Sequence, residues 1–290
     1  MNKVSVIRIV LSWALVLILL LVLVSVNHLS NREVEYNHTD TLIVHLENMK
    51  QKPIQKNAAG SDSVSLPDIM LLLGKKPTSE NDLLVSVDAQ LANRTGMLMH
   101  KKAYQAFKEM KNAALQDHVE LIIISAFRGF DHQKRIWENK WNGRQMLYGN
   151  INARDISSDI ERAREILRFS SMPGTSRHHW GTDIDLNSLN NKYFESGKGQ
   201  QVYDWLKQNA HEFGFCQPYT QIDASRDGGY EEEKWHWSYM PIAKVYLNTY
   251  VDSVNYSHIT GFDGWETASE VKVIEQYVLK INNQCMISDF

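Results

Sequence analysis

The chain has 290 residues and a formal net charge of −3, with 43% hydrophobic and 22% charged residues. That is enough apolar material for one large domain or two small ones. The basic residues are scattered and form no long run, which excludes a nucleic-acid-binding reading.

The N-terminus carries the strongest compositional signal. Ile9 to Val26 contains no charge, with Lys3 and Arg8 ahead of it and Glu33 and Glu35 behind it. As a helix it would span roughly 27 Å at ~1.5 Å per residue, close to the roughly 30 Å of a bilayer core. The run ends in Val24-Ser25-Val26-Asn27-His28, a poor match to a signal-peptidase site. Residues 1–27 are therefore read as an uncleaved, single-pass signal anchor in the cytoplasmic (inner) membrane. The charge asymmetry leaves the remainder facing the periplasm or cell exterior. A cleaved signal peptide would export the body equally.

Residues 28–80 read as a stalk or linker, because 51–66 is polar and rich in small residues. A short apolar run, Ile69 to Leu73, interrupts it and is apolar enough to pack on the domain. A domain over 81–254 follows. Within 100–116, Ala103, Phe107, Met110 and Ala114 fall on one helical face. Val119 to Ser125 reads as a buried strand. Ser158 and Glu161 form a capping-box pattern ahead of a helix with Ile160, Ala163, Ile166 and Leu167 on its apolar stripe. Pro173-Gly174 closes that region. Gly181 to Leu186 reads as a short strand. Residues 200–213 read as a helix burying Val202, Trp205, Leu206 and Phe213, closed by Gly214. Lys234 to Tyr239 reads as an aromatic-rich strand. This order predicts an α+β fold with a small, mostly antiparallel sheet flanked by helices. In the extension, 255–290, Val271, Ile274, Tyr277, Val278 and Ile281 are spaced for a packed helix.

The chain has two cysteines, Cys216 and Cys285. Export permits a disulfide, but the sequence does not decide between a bridge and two thiols. They are too few and too far apart for a cysteine-based zinc site.

Eleven histidines are available as ligands. Ser176 to Leu186 offers a histidine, a turn at Trp180-Gly181, and a strand on which Asp183 and Asp185 share a face. Far downstream, Glu233 stands three residues before His236, between Trp235 and Trp237. Two histidines and one carboxylate match the three protein ligands of a catalytic zinc, which keeps a fourth position open. A nearby carboxylate outside the ligand set would move the proton of the attacking water. From spacing alone this is one trio among several.

The pattern S-x-H-x-x-G-x-x-x-D (Ser176, His178, Gly181, Asp185), followed by E-x-W-H (Glu233 to His236), resembles the VanY-type D-alanyl-D-alanine carboxypeptidases. Their superfamily includes lysostaphin-type endopeptidases and the hedgehog signalling domain. Ser125 to Gln133 resembles the family's S-x-x-R-x-x-x-x-Q segment, and the blocks occur in family order. The resemblance covers about residues 80 to 245. It implies a hedgehog/D-Ala-D-Ala-peptidase-like fold and zinc held by His178, Asp185 and His236. It implies Glu233 as general base and Arg128 on the oxyanion or a substrate carboxylate. It gives Ser176 and Gln133 contacts to substrate or ligands. The implied substrates are peptidoglycan stem peptides, cut as a D,D-carboxypeptidase. An L,D-carboxypeptidase, a cross-link endopeptidase or a non-catalytic zinc-binding wall module would use the same frame. Asp183 departs from the family's small residue. It is open as a partner of a ligating histidine, as a rival ligand, or as a tolerated neighbour. His179 is read as supporting, His132 as a solvated loop residue with lining of the cleft as its alternative, and His211 as a surface residue.

Overall fold

The computed structural model describes residues 66–224 and 226–287. The expected signal anchor (1–27) and the greater part of the expected stalk lie outside them. Asp68 caps a short helix, α1 (Ile69–Leu72), by accepting from the Leu71 N–H at 2.7 Å. β1 (Leu84–Ser86) and β2 (Leu98–His100) pair antiparallel. His100 then caps α2 (Lys101–Gln116), its Nδ1 accepting from the Lys102 N–H at 3.3 Å. α2 buries Ala103, Phe107, Met110 and Ala114, as its helical spacing predicts.

The strand expected over 119–125 is shorter. Only β3 (Ile123–Ser125) joins a ladder, while Val119 and Leu121 are buried outside it. Next come α3 (Phe130–Trp141) and α4 (Asp159–Leu167), the latter capped by Ser158 Oγ on the Glu161 N–H. β4 (Asp183–Leu186) leads to α5 (Gly197–Asn209), which buries Val202, Trp205 and Leu206. β5 (Phe215–Cys216), β6 (His236–Tyr239), α6 (Met240–Ser253) and α7 (Gln284–Ile287) complete the chain.

β3, β4, β6 and β5 form one antiparallel sheet in that order. Helices flank it, so the α+β expectation matches the structure. One apolar cluster gathers the buried faces of α2 and α5 with sheet residues such as Ile184 and Phe215. A second gathers α1, α3, α4, α6 and the C-terminal segment.

That second cluster draws on residues beyond the expected domain. Leu71, Leu72 and Leu73 belong to it, and so do Val271, Ile274, Val278 and Ile281. The core therefore runs past both ends of 81–254. The segment after residue 254 is also not the single helix its spacing suggests. It is a chain of short turns: Tyr256–His258, Trp265–Ala268, a π-helical turn Ile274–Val278, and α7. Gly264 and Lys272 take left-handed backbone, φ 77° and 52°, which breaks helical continuity. At Gly264 a Cβ would stand 2.3 Å from the Trp141 ring, so only glycine lets the chain pass. The apolar residues still reach the core, through turns instead of one helix face. A disulfide between Cys216 and Cys285 ties α7 to the sheet edge. Among the described residues no helix is long and apolar enough to cross a membrane.

Candidate metal centre and active site

Three neighbouring elements bring the candidate ligands together. A 3-10 turn, Arg177–Trp180, ends at Gly181 with φ 70°. A Cβ there would meet the His100 backbone N at 3.0 Å, so a glycine makes the turn into β4. The β4–β6 register then pairs Asp185 directly with His236, and Ser125 of β3 lies opposite Asp185 on the other side. Directly opposed residues sit close enough for their side chains to share one ligand.

The donor atoms converge accordingly. His178 Nε2 lies 3.3 Å and His236 Nδ1 3.1 Å from Asp185 Oδ1. All three ligand atoms fall within 4.8 Å of one another, and all three residues are buried. The far nitrogen of each ring is already held. His178 Nδ1 is 2.8 Å from the Ala126 carbonyl, which can only accept, so Nδ1 carries the proton. His236 Nε2 is 2.9 Å from Asp183 Oδ1. His178 therefore turns a lone pair toward Asp185, and His236 turns Nδ1 toward it. His178 Nε2 and Asp185 Oδ1 are buried without hydrogen-bond partners. Buried acceptors facing one point are costly unless a cation joins them. Two imidazole nitrogens and one carboxylate oxygen fit a divalent ion such as zinc, with room for a further ligand.

The electrostatics agree. Burial pushes His236 down, but the carboxylates of Asp183, Asp185 and Glu233 outweigh it and hold its pKa well above the usual histidine value. Burial would raise Asp185, yet His178 and then His236 hold it far below the usual carboxylate range. Burial, and then the Arg128 charge, lower the pKa of His178 against the opposing pull of Asp185. The carboxylates thus favour a proton on His236, and a metal ion would compete with that proton for Nδ1.

Asp183 resolves into a support of His236. Its Oδ1 accepts from Arg177 Nε at 3.0 Å as well as facing His236, and its Oδ2 accepts from Thr182 Oγ1 at 2.6 Å. With both oxygens engaged, Asp183 fixes the ring through the nitrogen away from the ligand point. Arg177 also donates to Ser238 Oγ at 2.6 Å and lies 4.8 Å over the Trp180 ring.

Glu233 Oε2 stands 3.4 Å from His236 Nδ1. Burial raises its pKa, with His236 opposing in part. Its backbone is pinned, its N–H donating to the Tyr219 carbonyl at 2.9 Å and its carbonyl accepting from Gln217 Nε2 at 3.2 Å. Arg128, Ser176, Glu233, His178 and His236 line one small cavity. Arg128 Nε and Ser176 Oγ are buried there without partners, free to meet a ligand. Gln133 stands behind this surface. It is fully buried, and its Nε2 donates to the Ser171 carbonyl at 2.8 Å, bracing the cavity wall.

The remaining histidines sort themselves out. His179 Nδ1 donates to the Arg128 carbonyl at 2.6 Å, and its Nε2 accepts from the Gly174 N–H at 3.0 Å. Burial holds it neutral, with its pKa pushed down to about 3. It supports the Arg128 segment, as expected. His132 lies on α3 and lines a neighbouring hollow with Arg128 and Asp185, so the solvated-loop expectation is corrected. His211 is exposed.

Sequence reasoning missed two residues that line the cavity and a third, Lys140, that contacts its wall through Ser170. The Tyr219 ring lies 4.7 Å from that of His236, and the Tyr230 ring packs 4.9 Å from Tyr219. Both sit in the patternless stretch between β5 and β6, so nothing local marks them. Lys140 follows Gln133 by two helical turns, and that spacing was a usable signal.

Residues 96–242, about half of the chain, match the family described as VanY: D-alanyl-D-alanine carboxypeptidase. A D-alanyl-D-alanine carboxypeptidase of Enterococcus faecalis is 29% identical over 142 residues, covering 48% of each chain. The putative carboxypeptidase YodJ of Bacillus subtilis is 26% identical over 201 residues, 64% of this chain and 65% of that one. The chain thus spans about half to two thirds of these relatives. Similar solved structures include a VanY D,D-pentapeptidase mutant in complex with Zn(II), at 26% identity, 56% and 88% coverage and a TM-score of 0.41. Another is VanYB in complex with D-alanine-D-alanine, at 23% identity, 62% and 93% coverage and a TM-score of 0.44. By the family match over residues 96–242, the chain belongs to the VanY family of D-alanyl-D-alanine carboxypeptidases.

Proposed function

We propose that this chain is a zinc-dependent D,D-carboxypeptidase that removes the terminal D-alanine of peptidoglycan stem peptides. The observation that carries the reading is the convergence of His178 Nε2, Asp185 Oδ1 and His236 Nδ1 within 4.8 Å, the first two lacking any hydrogen-bond partner. Family membership and the relatives' printed activities support it.

His178, Asp185 and His236 would hold the ion. When bound, zinc supplies Lewis acidity toward a peptide carbonyl and toward water. Glu233, with its pKa raised by burial, is suited to take a proton from water and pass it to the leaving amine. Arg128 offers its buried, unpartnered Nε to the oxygen on which charge develops. Ser176 Oγ gives a neutral hydrogen bond at the same surface. Asp183 keeps the His236 ring aimed by holding Nε2.

The same proposal places the enzyme at the outer face of the cytoplasmic membrane, anchored by Ile9 to Val26. The Cys216–Cys285 disulfide supports an exported chain, since such bonds persist in oxidising compartments.

The test is digestion of defined muropeptides, with and without chelator, read by mass spectrometry. The proposal expects loss of one D-alanine from pentapeptides and no cleavage once metal is stripped. Cleavage unaffected by chelator, or cleavage confined to tetrapeptides, would contradict it.

A further inference from the structure

Lys140, in the last turn of α3, is used by none of the steps above. Its Nζ donates to Ser170 Oγ. The Ser170 hydroxyl in turn donates to the Phe169 carbonyl at 2.8 Å. Ser170 lines the cavity that Arg128, Ser176 and Glu233 share. Nearby cations are neutralised, Lys134 by Glu138 and Arg162 by Asp159. Lys140 makes no such pair among the described residues; its hydrogen bond goes to a neutral hydroxyl. Burial lowers its pKa, while Glu233 raises it and Arg128 lowers it, so Nζ feels both of those charges.

An ammonium has three N–H donors, and Ser170 uses one. A half-buried cation without an anion is costly, and a ligand carboxylate would relieve that cost. The chemistry at Glu233 says where such a carboxylate would lie. The leaving amine has to come within hydrogen-bond reach of Glu233. In a C-terminal residue, the free carboxylate is attached two bonds from that amine. It therefore enters beside the buried Glu233 carboxyl, where like charges repel unless a cation intervenes.

Resting on the carboxypeptidase reading above, we propose that Lys140, seated by Ser170, binds the C-terminal carboxylate of the peptide and so restricts the site to chain ends. Arg128 is then left for the oxygen on which charge develops. An internal peptide bond would place an uncharged amide against Lys140 and leave its charge unmet. Specificity of this kind comes from the cost of the wrong occupant as much as from the fit of the right one.

The test compares kcat/KM on two pentapeptides ending in D-Ala-D-Ala, one with a free C-terminal acid and one with a primary amide. The full chain is used as wild type, Lys140→Met and Lys140→Arg. Wild type should prefer the acid by on the order of 10- to 100-fold, the size of one charge-assisted hydrogen bond. Lys140→Met should lower the rate on the acid by that factor without lowering the rate on the amide, which also shows that the site is still folded. Lys140→Arg should keep part of the preference. Equal losses on acid and amide, or a preference that survives Lys140→Met, would overturn the proposal. A wild type that cleaves neither peptide overturns the hydrolase reading alone. The subsite is then judged by calorimetric binding of the same two peptides. Loss of acid preference in Lys140→Met supports it, and equal binding of both by wild type overturns it.

Discussion

Replacing Asp183 by asparagine separates the support of the metal centre from its ligands. The side chains of Asp183 and Arg177 are both 0% exposed, so water does not screen their attraction. Asparagine keeps the size and one acceptor oxygen but removes the charge. Arg177 would keep Ser238 Oγ at 2.6 Å and the Trp180 face at 4.8 Å, which recover part of the loss. Breaking one partner of a buried pair costs roughly 3–5 kcal/mol, and the lower end applies here. With a urea slope of about 2–3 kcal/mol per molar, the unfolding midpoint in chelator should fall by roughly 1 M. His236 Nε2–H would still find an amide oxygen, so zinc affinity should weaken by only about 10-fold. Asp183→Ala should approach the ~100-fold end of such outer-partner effects. Equilibrium unfolding and competition with a zinc-sensitive dye measure the two quantities. If Asp183→Asn abolished zinc binding while leaving the metal-free stability unchanged, Asp183 would be a ligand and the assignment of Asp185 would fail.

Further outcomes follow from other parts of the fold. Glu233→Gln should retain zinc and lose turnover by ~10²–10⁴-fold, measured on the acid pentapeptide; retained turnover moves the base elsewhere. Cys216 and Cys285 are 69 residues apart, so replacing both by serine should cost roughly 4 kcal/mol through unfolded-chain entropy. Unfolding midpoints that match between the oxidised wild type and the double variant would contradict this. Burial, and then Lys101 and Lys102, hold His100 down at a pKa of about 4. The unfolded chain therefore binds that proton more readily. The stability from neutral His100 is present above pH ~6.5 and is lost as pH falls toward 4, by up to about 3 kcal/mol. His100→Asn keeps an N-cap acceptor, and its stability should fall less steeply over that window; an unchanged slope would exclude His100 as the source.

The candidate ligand trio was legible in the sequence through the family pattern, while spacing alone left it one trio among several, because only strand pairing brings His236 to Asp185. His178 and Asp185 bracket one turn and one strand, and His236 lies on the strand paired with it. Helix α2 was legible from spacing alone, its apolar spacing being the imprint of one buried face. The C-terminal segment misled because left-handed backbone at Lys272 and the approach of Gly264 to Trp141 leave no trace in apolar spacing. Asp183 could not be settled from the sequence. Its role depends on Arg177 and Thr182 engaging both oxygens. Tyr219 and Tyr230 were invisible because only tertiary packing brings the Tyr219 ring to His236 and the Tyr230 ring to Tyr219. The Cys216–Cys285 bridge likewise joins the sheet edge to a helix that sequence alone does not place there.

The central claim is that His178, Asp185 and His236 hold one catalytic zinc ion. Anomalous diffraction at the zinc edge, on crystals grown from zinc-loaded protein, tests it most directly. One peak within ~2.0–2.2 Å of His178 Nε2, a carboxylate oxygen of Asp185 and His236 Nδ1 is the expected result. A zinc peak elsewhere, or well-ordered side chains at these three residues with no peak between them, would contradict it.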